Sequence, residues 1–277
     1  MKRNAFFRRG LQRYRLLLIW LAVFVMAAAA ICESTVWPEA SGDKVAKKGG
    51  TEIDYSNAAD GYIMVRQKQG TKRYKLRIEK DKQTYTYDLN SDGEWEVFPL
   101  QLGTGSYAVK VFKQASGNQY SSASSQKIKV SAFNDENACF LCPSQYVSYT
   151  QDSALVGIDQ QLCADLTDPA DKVRAIRDWI KTNVSYDYVL ALTVQRGYLP
   201  DLESVISGKM GICFDYASLA AAMLRVQGIP AKLVIGYADN TYHSWNEVYV
   251  GGQWMRLDIT AQVTNMNVKS YTTERFY

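Results

Sequence analysis

Between residues 51 and 132 the apolar positions step by two. Ile63 and Val65, then Tyr74, Leu76 and Ile78, then Tyr85 and Tyr87, Trp95 and Val97, Tyr107, Val109 and Val111, and Ile128 and Val130 all follow this period. Turn formers separate the runs: Gln69-Gly70, Asn90-Ser91-Asp92-Gly93, Gly103-Thr104-Gly105 and Ser116-Gly117-Asn118. Six or so short alternating strands at this spacing predict a small β-sandwich of the Ig-like kind over 51–132. No group of chemically useful side chains stands out in it. From about residue 150 the period becomes helical. Asp168-Pro169 reads as a helix start, with Val173, Ile176 and Ile180 along one face. A second helix opens at Cys213, with Ala217, Ala220, Ala221 and Leu224 on one face, and stops at Gly228-Ile229-Pro230. Strand patterns follow over 232–237, 243–250 and 253–258. The second half, 133–277, is therefore expected to be α+β.

The two ends of the N-terminal region differ from both halves. Residues 32–50 are polar, with Gly42, Lys47-Lys48 and Gly49-Gly50, and predict a linker. Residues 1–15 hold six basic side chains, and an uninterrupted apolar run follows over 16–31, ending in Ala27-Ala28-Ala29-Ala30. Charged, apolar and small residues in that order predict a signal peptide over 1–31, with cleavage after Ala30, or an N-terminal membrane anchor if it is retained. The protein is thus expected to act outside the cytoplasm, secreted or held to the membrane through this segment alone.

Charge then changes its meaning. The chain has 32 Lys and Arg against 28 Asp and Glu, a formal net charge of +4. Six of the basic residues sit in the leader, so the rest carries 26 basic against 28 acidic residues, a formal charge of −2. No basic face for nucleic acid follows from that.

Chemistry narrows to a few residues. The chain has one histidine, His243, and five cysteines, Cys32, Cys139, Cys142, Cys163 and Cys213. Cys139-Phe140-Leu141-Cys142 has no second Cys-x-x-Cys and no spare histidine, so it reads as a local disulfide or two buried thiols. No metal and no organic cofactor is expected. Cys213 differs, because a cysteine at a helix N-terminus meets backbone N–H groups and a dipole that favour its thiolate. A thiol nucleophile needs a base, and the base needs an orienting group.

The strand pattern supplies both. Val250-Gly251-Gly252-Gln253 reads as a two-residue hairpin turn, which makes paired residue numbers sum to 503. Tyr249 then faces Trp254, Glu247 faces Arg256, Trp245 faces Asp258 and His243 faces Thr260. His243 and Asp258 become diagonal neighbours on one face, with Cα atoms ~7–8 Å apart, within reach of a histidine–carboxylate hydrogen bond. Val248, Val250, Met255, Leu257 and Ile259 form the opposite, core-like face. In this arrangement Cys213 attacks an acyl carbonyl, His243 moves the proton and Asp258 holds the imidazole. The backbone N–H of Cys213 is a natural oxyanion donor, and Tyr186, in Val184-Ser185-Tyr186-Asp187, is a candidate second donor.

The order of blocks carries a resemblance. Gly211-x-Cys213-x-Asp215-Tyr216-Ala217, Arg225-x-x-Gly228-Ile229-Pro230-Ala231, Gly236-Tyr237, His243-x-Trp245-x-Glu247-Val248-Tyr249 and Trp254-x-x-Leu257-Asp258 resemble the transglutaminase-like superfamily of papain-like cysteine enzymes. The resemblance covers about residues 165–260. It implies a papain-like α+β core and a Cys-His-Asp triad, here Cys213, His243 and Asp258. Ile259 departs from the proline common after the aspartate. The sandwich in front resembles that of secreted bacterial members. The function implied is a thiol acyl enzyme on protein or peptide amides, by hydrolysis, deamidation or transglutamination, with cell-surface or cell-wall peptides among its expected partners. The competing reading, of a different class, is a non-catalytic extracellular binding or scaffold protein that keeps the fold.

Overall fold

The structure, a computed structural model, describes residues 35–277. The leader expected at 1–31 and Cys32 lie outside the described residues. Among the described residues no helix is long and apolar enough to cross a membrane.

The first part is two antiparallel four-stranded sheets. One contains β1 (Val45–Lys48), β2 (Thr51–Asp54), β3 (Tyr62–Gln67) and β6 (Glu96–Pro99), in that spatial order. The other contains β5 (Gln83–Leu89), β4 (Tyr74–Lys80), β7 (Gly105–Ser116) and β8 (Gln119–Val130). The period-two apolar residues are the reason for this layering. Ile63, Val65, Leu76, Ile78, Val109 and Val111 are all buried in one shared core. The Tyr87 ring meets the edge of Phe98 from the other sheet at 5.2 Å. Trp95 falls just outside β6, under the Arg66 guanidinium at 4.6 Å.

The linker expected over 32–50 is corrected. Residues 45–48 form β1, which pairs with β2 through a Gly49-Gly50 turn. Both glycines have positive φ, +61° and +83°, the backbone that a tight two-residue hairpin demands. The stretch before β1 is docked. The Thr35 hydroxyl donates to the Val226 carbonyl at 2.6 Å, and Trp37 packs edge-on against Tyr149. Apolar side chains at 36, 37 and 40 bury against the body and outweigh the polar look of the segment.

The second part mixes helices with a third sheet. Its helices are α1 (Ala154–Cys163), α2 (Pro169–Asn183), α3 (Tyr188–Thr193), α4 (Leu202–Gly208), α5 (Cys213–Val226) and α6 (Ile259–Val263). A short parallel pair, β9 (Ser185–Tyr186) and β10 (Met210–Gly211), precedes α5. The sheet runs β13 (Gln253–Leu257), β12 (Thr241–Val250), β11 (Ala231–Ala238), β14 (Tyr271–Phe276), all antiparallel. Asp168 caps α2 by accepting the Ala170 N–H at 2.9 Å. α5 is buried from Asp215 to Val226 and lies against β11 and β12. Its alanines let those elements approach closely. β14 has no apolar alternation to announce it. Gly236 admits it, since a Cβ there would sit 2.0 Å from the Thr272 carbonyl oxygen.

The two parts share one apolar cluster that runs from Ile53 to Tyr277. The Tyr277 ring bridges them, 5.4 Å from Tyr85 and 4.2 Å from Tyr146.

Candidate active site

Cys213 is the first residue of α5 and is partly exposed, whereas Cys139, Cys142 and Cys163 are buried. None of these four is in a disulfide. Burial pushes the thiols of Cys139, Cys142 and Cys163 up to about 12. The start of α5 is fixed by Asp215. Its carboxylate accepts the Ile212 N–H and the Tyr198 hydroxyl, each at 2.8 Å. Burial raises the Asp215 pKa, and these two hydrogen bonds oppose the rise. Gly211 is needed for a reason other than a sharp turn. A Cβ there would meet the Asp215 Cβ at 2.8 Å, so only glycine lets the carboxylate fold back onto the cap.

His243 arrives from β12, opposite Gly236 of β11. Asn246 ties β12 to α5, since its amide donates to the Ala217 carbonyl at 2.8 Å and to the Lys232 carbonyl at 3.1 Å. The hairpin register holds from Val250↔Gln253 to Asn246↔Leu257, including Glu247↔Arg256. It then stops. The expected pairings Trp245–Asp258 and His243–Thr260 are not formed, because Asp258 leaves the strand and caps α6. The Asp258 Oδ1 accepts the Ala261 N–H at 2.8 Å. Two side-chain expectations also change. The Glu247 carboxylate pairs with Lys232 at 3.0 Å, and Met255 is 42% exposed rather than in the core. Arg256 stacks its guanidinium on Tyr271 at 3.9 Å.

His243 and Asp258 are nonetheless brought together. His243 Nε2 lies 2.9 Å from Asp258 Oδ2, and both side chains are buried. The same Oδ2 accepts the Tyr271 hydroxyl at 2.8 Å. Tyr271 packs edge-on against Trp245 at 5.0 Å. Burial disfavours a charged imidazole, but Asp258 and the neighbouring Cys213 more than offset it and push the His243 pKa up to about 9. Burial works against the Asp258 charge too, and His243 overcomes it, holding the carboxyl below its ordinary value. With Nε2 at Asp258, Nδ1 is the ring nitrogen that Asp258 leaves free.

Tyr186 sits opposite Gly211 in the β9–β10 pair and lines the same cleft as Cys213. Burial first, and then the neighbouring Cys213, push its hydroxyl up to about 12. The cleft has a volume of about 580 Å³. Its walls are largely aromatic and aliphatic, including Ile212, Phe214, Ile235, Tyr198 and Tyr242.

Asn246 and Tyr271 are the site residues that sequence reasoning missed. Asn246 stood inside the His243-x-Trp245-x-Glu247 block, and the polar interruption of a buried strand was its signal. Tyr271 carries no local signal, because its partner is 13 residues away across a loop and a helix.

A lone histidine makes the charge state directly readable. The imidazole resonance of His243 should titrate near pH 9 by NMR, and Asp258→Asn or Cys213→Ala should each lower that midpoint. A folded-state pKa raised from 6.5 to about 9 stabilises the fold in full below about 6.5 and loses that contribution as pH rises through about 9. A wild-type midpoint at or below 6.5 would contradict this charge pairing.

Residues 157–259 match the family model of the transglutaminase-like superfamily. Cys213, His243, Asp258 and Tyr186 all lie within the matched segment. The protein YebA of Bacillus subtilis (strain 168) is 28% identical over 125 residues, which is 38% of this chain and 17% of YebA. Human kyphoscoliosis peptidase is 30% identical over 127 residues, 40% of this chain and 19% of that protein. The chain thus spans less than a fifth of the length of these relatives. Among solved structures, the periplasmic domain of TgpA from Pseudomonas aeruginosa aligns over 83% of this chain and 77% of its own, with TM-score 0.38 and 16% identity.

Proposed function

Taking residues 157–259 as a transglutaminase-like core, we propose that this protein is a thiol acyl enzyme acting on protein or peptide amides through Cys213, His243 and Asp258. The observation that carries this reading is the buried His243–Asp258 hydrogen bond of 2.9 Å beside a partly exposed thiol at a helix N-terminus, on the wall of a cleft. The steps follow from the groups present. Cys213 Sγ, as the thiolate partner of the imidazolium, bonds to the amide carbonyl carbon. The carbonyl oxygen takes up the negative charge and is held by the Cys213 N–H and the Tyr186 hydroxyl. His243 Nδ1 gives its proton to the leaving nitrogen, which departs as ammonia or a peptide amine, and a thioester remains. Water or an amine then gives a proton to His243 and attacks the thioester, and Cys213 leaves as thiolate. Asp258 holds the ring in the one orientation that serves both steps and stabilises its charged form. The human relative is named a peptidase, which fits the hydrolytic version.

The test is mass spectrometry of the purified protein with glutamine-containing peptides, with and without a primary amine. Deamidation, amine incorporation and chain cleavage each give a different mass change. None of the three, across a broad peptide mixture, would favour the non-catalytic scaffold.

The two facing sheets are read as an Ig-like sandwich that carries the catalytic part. The chain is read as exported, with residues 1–31 as a signal peptide or anchor. N-terminal sequencing of the protein from its native host should find a start just after Ala30, or an intact leader in the membrane fraction. An intact Met1 on a soluble cytoplasmic protein would refute both.

A further inference from the structure

The cleft wall carries a cationic side chain that has no carboxylate partner. Among its lining residues other than Cys213, Arg196 alone carries a charge at neutral pH. Arg66, Arg77, Arg174 and Arg177 each have a carboxylate partner, whereas Arg196 has none among the described residues. The two acids that flank its loop are committed elsewhere. Asp187 caps α3 by accepting the Leu190 N–H at 2.8 Å. Asp201 caps α4, accepting the Ser204 N–H at 3.2 Å and its hydroxyl at 2.7 Å. The other cation of the site, His243, is buried against Asp258 and already balanced. A guanidinium matches a carboxylate in a two-pronged hydrogen bond. Arg196 is exposed at the edge of the cleft, where an incoming carboxylate can reach it.

We propose that Arg196 is a specificity-determining residue of this cleft, and that the acyl substrate is a peptide with a carboxylate close to the amide under attack. The inference rests on the reading of Cys213 as the nucleophile. α3 completes the surface. Tyr188, Val189 and Leu192 are exposed beside Ala191 and Val194 of the cleft wall. They offer an apolar shoulder to the side chains that flank the acidic group.

Two thiol reagents of nearly equal size test the charge without a known substrate. Iodoacetate carries a carboxylate and iodoacetamide does not. Their alkylation rates at Cys213 are compared by peptide mapping in the wild-type protein, in Arg196→Met and in Arg196→Lys. The His243 charge is common to all three and cancels in the comparison. The iodoacetate-to-iodoacetamide ratio should fall about two- to fivefold in Arg196→Met, as one positive charge is removed beside the thiol. Arg196→Lys should restore part of it. An unchanged ratio would make Arg196 a solvated loop residue and overturn the proposal. A second arm uses paired glutamine peptides with Glu or Gln beside the reactive residue, followed by ammonia release. The acidic peptide should have the lower KM in the wild type, and Arg196→Met should remove that advantage with kcat little changed. Equal KM values for the pair in the wild type would count against the proposal. No turnover of either peptide, with Cys213 no faster to alkylate than Cys163, would defeat the thiol-enzyme reading, and the reagent ratio would still decide the role of Arg196.

Discussion

Cys213→Ala and His243→Ala should each lower acyl transfer or hydrolysis by about 10⁴-fold or more, with thermal unfolding close to wild type. The nucleophile and the group that carries its proton act as a unit, so the double variant should be little worse than either single one. No other histidine exists to replace His243. Asp258→Asn separates two duties of that side chain. An amide still caps α6 well, so the fold should persist. It cannot stabilise an imidazolium and can hold the wrong tautomer, so activity should fall steeply while the site stays ordered. Asp258→Ala is a poorer test, because it also removes the α6 cap and the Tyr271 acceptor. Full activity in His243→Ala would end the triad reading.

Arg225→Met should cost about 2–5 kcal/mol of stability, the loss expected when buried carbonyl oxygens are left without their donors. Arg225 is fully buried in α5. Its guanidinium donates to the Ala231 oxygen at 2.8 and 3.0 Å, the Tyr277 oxygen at 2.9 Å and the Cys142 oxygen at 2.6 Å. One side chain thereby ties α5 to β11, to Tyr277 and to the Cys-x-x-Cys segment. Burial lowers its pKa, and the nearby Tyr149, Cys142 and Cys139 oppose that fall. Methionine fills much of the volume but takes the guanidinium donors from the Ala231 and Cys142 oxygens, each loss costing roughly 1–3 kcal/mol, while the Tyr277 oxygen keeps the Leu233 N–H at 2.8 Å. The urea midpoint should drop by about 1–2 M at an ordinary m value. Arg225→Lys should recover only part of the loss, because an ammonium lacks the planar fork. A midpoint within experimental error of wild type for both variants would show that the network contributes little.

Local signals were legible in the sequence where one short segment decides the outcome. Period-two runs marked β3 to β8, six of the eight strands of the two sheets, because burial of alternate side chains is a property of the strand itself. Asp168-Pro169 and Gly228-Ile229-Pro230 marked helix ends, because caps depend on adjacent residues. The Gly251-Gly252 turn set the register of β12 and β13, because positive φ at both positions leaves one hairpin geometry. The Gly49-Gly50 turn carried the same signal. The polar residues around it led to the linker reading, which only the pairing of β1 with β2 corrects.

The tertiary structure decided what depends on distant partners. Hairpin arithmetic placed Asp258 opposite Trp245, whereas capping of α6 drew it out of the strand and still left it 2.9 Å from His243. Two local preferences competed there, and only the surrounding packing selects between them. β14 is almost silent in sequence, since its apolar residues are few and its place depends on the missing Cβ of Gly236. Tyr271 reaches Asp258 only because that strand docks. The chain thus wrote its chemistry in residue types and spacing, while the contacts that aim the imidazole come from elements that meet only in the folded core.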